Sequence, residues 1–168
     1  MNEILNKVAN SALQVFDLED YFPTQKHVNI DLSQWLFEGF ILKEKDFRDQ
    51  LKQHDWSQYS GCNVTISIPE DCIVPAWTTI LVTSKLVPFA TNVVLGTYNN
   101  MLQFVYQQKL QQIDYSVYFN KAVILKGCSK KPVPESAYII AMQQLQKVAK
   151  SIMYGEACSA VPLFKKVK

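Results

Sequence analysis

The chain contains 168 residues, of which 48% are hydrophobic and 19% are charged, a composition typical of a globular domain rather than a disordered or membrane-spanning one. Seventeen basic and fifteen acidic side chains leave a net charge of +2, which is too small to predict a nucleic-acid-binding surface. No apolar run approaches the roughly 18 residues of a membrane helix, residues 1–11 lack the apolar segment of a secretory signal, and four cysteines are too few for a disulfide scaffold. We therefore expect one cytoplasmic domain over residues 1–168, with neither a nucleic-acid nor a membrane partner.

The first third of the chain predicts an arm, a strand and a helix. Residues 1–25 form an N-terminal arm that contains a short strand at Leu13–Phe16. The alternation of apolar and polar residues at His27–Leu32 predicts the first strand of the sheet. A helix is predicted over residues 34–53, with Gly39 breaking or bending its first turns because glycine weakens a helix interior.

Strands and helices alternate through the rest of the chain. A helix that starts at Pro75, where a proline costs no hydrogen bond, is predicted to bury Ile80, Leu81 and Ser84. Further helices are predicted from Asn99 and between the last two strands. The predicted strands are Cys62–Ile68, Asn92–Leu95, Lys121–Lys126 and Ser151–Tyr154, and residues 159–168 form a C-terminal tail.

A repeated pentapeptide indicates an internal duplication. The sequence DWSQY at Asp55–Tyr59 recurs as DYSVY at Asp114–Tyr118, and the same spacing without a gap places Gly96 on Gly155. We interpret this agreement as two copies of a helix–strand–helix–strand unit, residues 40–96 and 99–155. The alternative is two unrelated segments with similar turn residues.

This order of elements predicts an α/β fold. Strands that alternate with helices are typical of a mainly parallel sheet, here of about five strands, with helices packed on its faces. An antiparallel edge strand is compatible with the pattern because the first strand lies outside the repeat. Ligands of such sheets bind beyond the carboxyl ends of the strands.

Three cysteines follow predicted strand ends. Cys72, Cys128 and Cys158 each come a few residues after a strand and shortly before a Val-Pro pair. Because parallel strands end at a common edge, we predict a thiol or metal site there, with Zn or an iron–sulfur centre as the cofactor that soft thiolates prefer. Their spacing matches no familiar metal motif, so metal-free structural or surface cysteines remain the alternative.

Cys128 has the most basic surroundings of the three. Lys126 and Lys130 flank it, and a helix begins shortly after it, near Pro134. Positive charge and a helix N-terminus both stabilise a thiolate. If the last two strands are neighbours in the sheet, Cys128 and Cys158 approach the distance of a disulfide or a shared metal ligand.

The same loop is a candidate anion-binding site. N–H groups at a helix start, together with Ser129, Lys130 and Lys126, suit a phosphate or a carboxylate. Glu135 in the first helical turn argues against a strong site, because its carboxylate would itself occupy the positive end.

Familiar catalytic motifs are absent from the sequence, and we expect His54 to be solvated at a helix end. We therefore predict a non-catalytic protein with a cysteine-lined site, an accessory in metal or iron–sulfur handling. The alternative is an interaction or scaffold module that uses Trp35, Phe37 or the N-terminal arm. A third hypothesis, a thiol enzyme with Cys128 as its nucleophile, lacks an evident base.

Several longer phrases carry a resemblance: WLFEGFILKEKDFR, HDWSQY, KGCSKKPVPESAY and SIMYGEACSAVP. With these phrases the chain resembles, over nearly its full length, the bacterial family called domain of unknown function 2480. The resemblance implies a small cytoplasmic protein without an assigned activity. It also implies genes that lie near iron–sulfur assembly genes, which favours the Cys128/Cys158 hypothesis.

Overall fold

The computed structural model describes residues 13–127 and 129–167, which form two compact units. Unit 1 comprises the described parts of residues 1–22 and 105–168, and unit 2 comprises residues 23–104. Within these described residues, no helix combines the length and the apolar character that crossing a membrane requires.

The helices and strands follow one another in a regular order along the chain. They are β1 (Leu13–Asp17), β2 (His27–Asp31), α1 (Glu44–Gln53), β3 (Asn63–Ser67), α2 (Ala76–Leu86), β4 (Asn92–Leu95), α3 (Tyr98–Gln111), β5 (Ala122–Lys126), α4 (Glu135–Val148), β6 (Ser151–Tyr154) and β7 (Val161–Lys165).

Unit 1 is built on a four-stranded sheet in the order β1-β5-β6-β7. The first three strands are parallel, and β7 adds an antiparallel edge. Helix α4 turns Ala137, Ala141 and Leu145 inward at a spacing of four residues, the spacing of one helical face. These three residues belong to one buried cluster together with Phe16 of β1 and Val123 of β5.

Unit 2 is built on a three-stranded sheet in the order β2-β3-β4, with all strands parallel. Alternate residues of β3, Val64 and Ile66, point into a core that they share with Phe47 and Leu51 of α1 and with two residues of α2, Val82 and Leu86. The buried residues of this unit therefore recur at every second position of a strand and at the 3.6-residue period of a helix.

The predicted α/β class is confirmed, but the prediction of one five-stranded sheet is wrong. Five predicted strands occur within one residue of their expected bounds, and they divide between two sheets. Leu13–Asp17 is a full strand that pairs with β5, and residues 161–165 of the predicted tail form β7. Alternation in the sequence identifies a strand but does not identify its partner.

The predicted helix over residues 34–53 is also wrong in its first half. A short 3-10 helix covers Leu32–Trp35, and the chain then turns through Glu38 at φ 53° and Gly39 at φ 81° before α1 begins at Glu44. Two consecutive residues in the left-handed region cannot continue a right-handed helix. Of the two predicted effects of Gly39, the structure shows a break in the helical pattern and not a bend.

Helix α2 presents a different face to the core from the predicted one. Ile80 is 66% exposed, whereas Thr78, Val82 and Leu86 are buried at a spacing of four residues. The buried hydroxyl of Thr78 donates to the carbonyl of Pro75 at 2.8 Å, so this polar side chain is satisfied inside the helix.

Element bounds recur at the same spacing as the two pentapeptides. Strand β5 begins and ends at that spacing after β3, and β6 does so after β4. The repeated pentapeptides form 3-10 helices in which the N–H groups of Ser57 and Ser116 donate to the side chains of Asp55 and Asp114. The two units thus contain the same local structures in the same order from Asp55 to Leu95 and from Asp114 to Tyr154.

Candidate functional site

The strands β1, β5 and β6 of unit 1 run parallel, so their carboxyl ends lie at one edge of the sheet, which we call the strand-end rim. Lys126 at the end of β5 places Nζ 3.3 Å from Oδ2 of Asp17 and 3.7 Å from Oε1 of Glu156. The hydrogen bond to Asp17, followed by the charges of Asp17 and Glu156, raises the pKa of Lys126. The lysine therefore stays protonated and links the segments that leave β5 and β6.

Glu19 carries a carboxylate on the same rim, in a short 3-10 helix directly after β1. Its Oε1 accepts hydrogen bonds from the backbone N–H of Ser129, from Oγ of Ser129 at 2.8 Å and from the backbone N–H of Lys130 at 2.8 Å. The ammonium of Lys131 lies 3.4 Å from the carbonyl oxygen of Glu19. The backbone groups of the predicted anion site thus hold an anion, which is a side chain of the same protein.

These contacts explain how an acidic residue that is only 9% exposed keeps its charge. The N–H of Lys130 is the largest cause, and with the hydroxyl and N–H of Ser129 it outweighs desolvation and lowers the pKa of Glu19 to about 2. Hydrogen bonds to the ionised form lower a carboxyl pKa in this way. Glu19 is therefore ionised at every pH at which the protein is expected to work.

An apolar cleft opens beside the rim. Its volume is about 770 Å³, which lies within the range of small-molecule pockets, and its lining residues come from β5, α4, β6, β7 and the segment before α4: Leu125, Val133, Glu135, Tyr138, Ile139, Met142, Tyr154 and Leu163. The rings of Tyr138 and Tyr154 meet edge to face, with centroids 5.9 Å apart. Glu135 is the one charged residue among the lining residues that the structure describes.

The sequence model of a family described as "Protein of unknown function (DUF2480)" matches residues 2–166. The chain belongs to this family. The resemblance seen in its sequence is thereby confirmed. No curated protein and no solved structure shows a significant match to the chain.

The cysteines of this DUF2480 chain occupy different surroundings. Cys158 is exposed in the segment between β6 and β7 of unit 1, whereas Cys128 lies outside the described residues. Cys72 belongs to unit 2, where its thiol donates to the carbonyl of Gly39 at 3.3 Å. Cys62 is buried beside β3, as expected for a small apolar residue. In the ranges that the structure describes, no three His, Cys, Asp or Glu residues are grouped to hold a metal ion.

The basic residues of the predicted anion site have separate roles. Ser129 and Lys130 bind Glu19 through their N–H groups, and Lys126 pairs with Asp17 and Glu156. An external anion would have to displace Glu19 from these donors. Sequence reasoning missed Glu19 because it lies near the opposite end of the chain from Ser129, in a run that is typical of a surface loop.

Unit 2 contains a network of polar side chains. In the sequence, its residues on β2 were visible only as the polar positions of an alternating strand pattern. His27 Nε2 lies 2.9 Å from Oγ1 of Thr65, which donates to Oδ1 of Asn29 at 2.9 Å, and Nδ2 of Asn29 donates to Oγ of Ser67 at 3.0 Å. Burial lowers the pKa of His27. These groups satisfy one another across β2 and β3, so we interpret the network as structural.

The residues of the interaction hypothesis separate into buried and exposed ones. Trp35 is 5% exposed and packs against Phe47, so it offers no partner surface, whereas Phe37 is 45% exposed. Lys43 covers one face of Phe37, with Nζ 3.2 Å from the ring centroid. His54 lies at the end of α1, as predicted, but it is only partly exposed and is hydrogen-bonded to Tyr59 at 2.9 Å. The N-terminal arm up to residue 12 lies outside the described residues.

Proposed function

We propose that the protein binds a soft metal ion or an iron–sulfur cluster between Cys128 and Cys158, as an accessory in metal or iron–sulfur handling. The observation that carries this proposal is the contact of 3.7 Å between Lys126 and Glu156. Each of these residues stands two positions before one of the two cysteines. Short segments that start from a common contact keep their next residues near each other.

The pairing of β5 with β6 supports the same proposal. The two strands are parallel neighbours, with Leu125 beside Tyr154 in the register, and neighbouring strands lie about 4.8 Å apart. Cys128 follows Leu125 by three residues, and Cys158 follows Tyr154 by four. The segments that carry the two thiols therefore leave the sheet side by side.

The chemistry of the rim suits temporary binding. Thiolates prefer zinc, copper(I) and iron–sulfur centres. Two protein thiolates leave the other coordination positions of zinc or iron to water or to a donor protein. A ligand held by few protein groups can be passed on, which is what an accessory in metal handling must do.

Thiol labelling on protein purified without oxygen tests this function. Cys128 and Cys158 are expected to be protected together when one equivalent of Zn²⁺ is added, and Cys158→Ser is expected to weaken zinc binding by at least about tenfold, or roughly 1.4 kcal/mol. Cys72→Ser is the matched control, since the thiol of Cys72 already donates to the carbonyl of Gly39, and this change should leave zinc affinity unchanged. Peptide mass spectrometry after alkylation, with metal and sulfide assays, gives both readouts.

Two results would overturn the metal proposal. Equal labelling of Cys128 and Cys158 with and without zinc would show that they share no ligand. Fast labelling of Cys128 alone, unaffected by metal, would favour the nucleophile hypothesis instead.

A protein-interaction module is the second candidate. It is favoured by a group of exposed apolar side chains in unit 2, which we call the apolar tip. Phe37, Phe40 and Ile41 are 45%, 51% and 39% exposed around a tight turn, and Ile73 is 94% exposed next to Cys72, whose thiol binds that turn. A double variant, Phe40→Ser with Ile73→Ser, is expected to abolish any concentration-dependent self-association in sedimentation experiments. Unchanged sedimentation of the wild type and the variant as monomers would remove the support for self-association through this tip.

We also infer that residues 40–96 and 99–155 derive from one duplicated unit. The shared spacing of element bounds and of capping aspartates supports this inference. If the copies are equivalent, Trp56→Tyr should be tolerated, because tyrosine serves at the equivalent position 115. A loss of cooperative thermal unfolding in this variant would argue against equivalence.

A further inference from the structure

Strand β4 of unit 2 has an open outer edge. The sheet order β2-β3-β4 makes β4 a terminal strand, and within the described ranges of the chain β3 is the only strand that pairs with it. Its last residue, Leu95, is 58% exposed. The outer edge of a terminal strand presents N–H and C=O groups that can pair with a further strand.

β4 also lacks the features that protect the other edge strands from such pairing. β1, β2 and β7 contain Asp17, Asp31 and Lys165 respectively, and β7 also has a proline and an irregular register. In contrast, β4 consists of the residues NVVL, and the sequence contains no charged residue and no histidine between Lys85 and Lys109. Charges, prolines and bulges are the usual means by which an edge strand resists pairing. β4 is therefore the edge strand best suited to accept another strand.

Unit 1 shows how the corresponding strand is covered. β6 follows β4 at the spacing of the repeated pentapeptides, and its outer edge pairs antiparallel with β7. Phe164 of β7 stands opposite Ile152 of β6 and packs against the buried cluster of the unit, and Ile152 is fully buried. Val93, which occupies the position of Ile152 in β4, is only partly buried. The two strands thus differ in burial, as expected if β4 lacks a covering strand.

A small hollow lies beside β4, where a covering strand would place a side chain. Its volume is about 250 Å³, and its lining residues come from α2, α3, β4 and the segment before β4: Thr83, Val87, Ala90, Thr91, Asn92, Val93 and Phe104. Val87 and Phe104 are 65% and 37% exposed. Because small-molecule pockets usually have roughly 300–1,000 Å³, the hollow suits one large side chain of a partner better than a free ligand.

We propose that the outer edge of β4 binds an extended, uncharged segment of a partner protein as an antiparallel strand, with an aromatic side chain in the hollow beside Val93. Backbone hydrogen bonds supply affinity and the hollow supplies specificity, as in other cases of strand addition to a sheet edge. The charge-free surroundings of β4 select an uncharged segment, since burying a charge without a counter-charge is costly. A second copy of β4 fits less well, because its residues include no aromatic side chain. This inference does not depend on the thiol site.

A peptide that copies the covering strand of unit 1 tests the proposal. The probe is the capped, uncharged peptide SAVPLF, the sequence of residues 159–164, added to the full chain. At saturating peptide, amide hydrogen exchange at residues 92–95 is expected to slow about tenfold or more, because the new strand protects the edge. A peptide with serine in place of the phenylalanine should bind about tenfold more weakly or worse, because it lacks the aromatic anchor.

A charge on the open edge gives the matching protein variant. Leu95→Lys is expected to weaken binding of SAVPLF about tenfold or more, since charged edge residues oppose strand pairing. Val15→Lys is the matched control, because it makes the same kind of change on β1, another edge strand, and should leave the affinity unchanged. Leu95 and Val15 are 58% and 50% exposed, and thermal unfolding checks that both variants fold.

Three results would overturn the proposal. Peptide-induced changes confined to residues 151–154 would show that the probe only exchanges with β7 on its own strand. Unchanged exchange at residues 92–95, even at the highest soluble peptide concentration, would show that the edge accepts no such strand. Slow exchange at residues 92–95 without peptide, in a dimer that Leu95→Lys dissociates, would assign the edge to a second copy of the chain instead.

Discussion

Trp56 and Tyr115, which hold the same position in the two pentapeptides, make the same hydrogen bond. Nε1 of Trp56 donates to the carbonyl of Leu51 at 2.9 Å, and the hydroxyl of Tyr115 donates to the carbonyl of Leu110 at 2.9 Å. In each unit the acceptor lies in the last turn of a helix, where carbonyl groups lack partners within the helix. A buried aromatic side chain thus closes the end of α1 in one unit and of α3 in the other.

Removing the hydroxyl of Tyr115 should measure this contact directly. Tyr115→Phe leaves the carbonyl of Leu110 without its donor, and we expect the free energy of unfolding to fall by about 1–2 kcal/mol. Urea denaturation provides the measurement. Tyr118→Phe is the control, since the hydroxyl of Tyr118 has no hydrogen bond to the part of the chain that the structure describes. An equal effect of both variants would contradict the assigned role.

Glu19 should make the free energy of unfolding depend on pH in the acid range. Its pKa is about 2 in the folded protein against 4.5 for the free side chain, so its contribution is present above pH 4.5 and is lost as the pH falls toward 2. The difference in unfolding free energy between wild type and Glu19→Gln should therefore be largest above pH 5 and should shrink toward pH 2. Urea midpoints between pH 2 and 6 test this, and parallel curves would refute it.

Gly127→Ala should destabilise the protein by steric contact alone. The added methyl group would lie 3.0 Å from Cβ of Leu18 and 3.1 Å from the hydroxyl of Tyr138, and overpacking of this kind costs about 1–3 kcal/mol. Thermal unfolding gives the measurement. Gly39→Asn is the control, because no atom lies within 4 Å of the new Cβ and asparagine tolerates the left-handed conformation. Equal loss in both variants would exclude the steric explanation.

Lys126 should contribute more to stability than Glu156, the more distant of its two carboxylate partners. Lys126→Met leaves the Asp17 carboxylate, which is 22% exposed, without its counter-charge, and we expect a loss of about 1 kcal/mol. Glu156 is 65% exposed, so Glu156→Gln should change stability by less than about 0.5 kcal/mol. Chemical denaturation at low and high salt tests both values. A larger effect of Glu156→Gln would mean that the rim depends on the outer contact.

Much of the local structure could be predicted from short sequence patterns. Strands β4 and β6 have the predicted bounds, and the repeated pentapeptides turn out to form two 3-10 helices, which the sequence patterns did not predict. These features depend on neighbours within a few residues, such as an aspartate that binds the N–H two positions later. The errors arose where one sequence pattern is compatible with two different structures. Around Gly39 the apolar spacing suited a helix, but the chain forms a turn.

The candidate site was predicted only in part. The ends of β5 and β6 were expected at one edge, and the adjacent parallel pairing of these strands agrees with that expectation. The strand before Cys72 was expected at the same edge, but β3 belongs to the other sheet. Glu19 was not predicted as part of the site, since nothing near it in the sequence indicates a partner so far along the chain. The apolar cleft was missed because Tyr138, Tyr154 and Leu163 come from three separate elements.

The amino-acid sequence by itself determined five of the strands and most of the helices, because those choices are made by periodicity and by hydrogen bonds between near neighbours. Tertiary structure alone decided that β1 joins β5 while β2 joins β3, although consecutive strands more often pair with each other. It also decided that Glu19 meets Ser129. Such pairings depend on which distant surfaces bury apolar area and satisfy polar groups together, and this balance is a property of the folded chain rather than of any short segment.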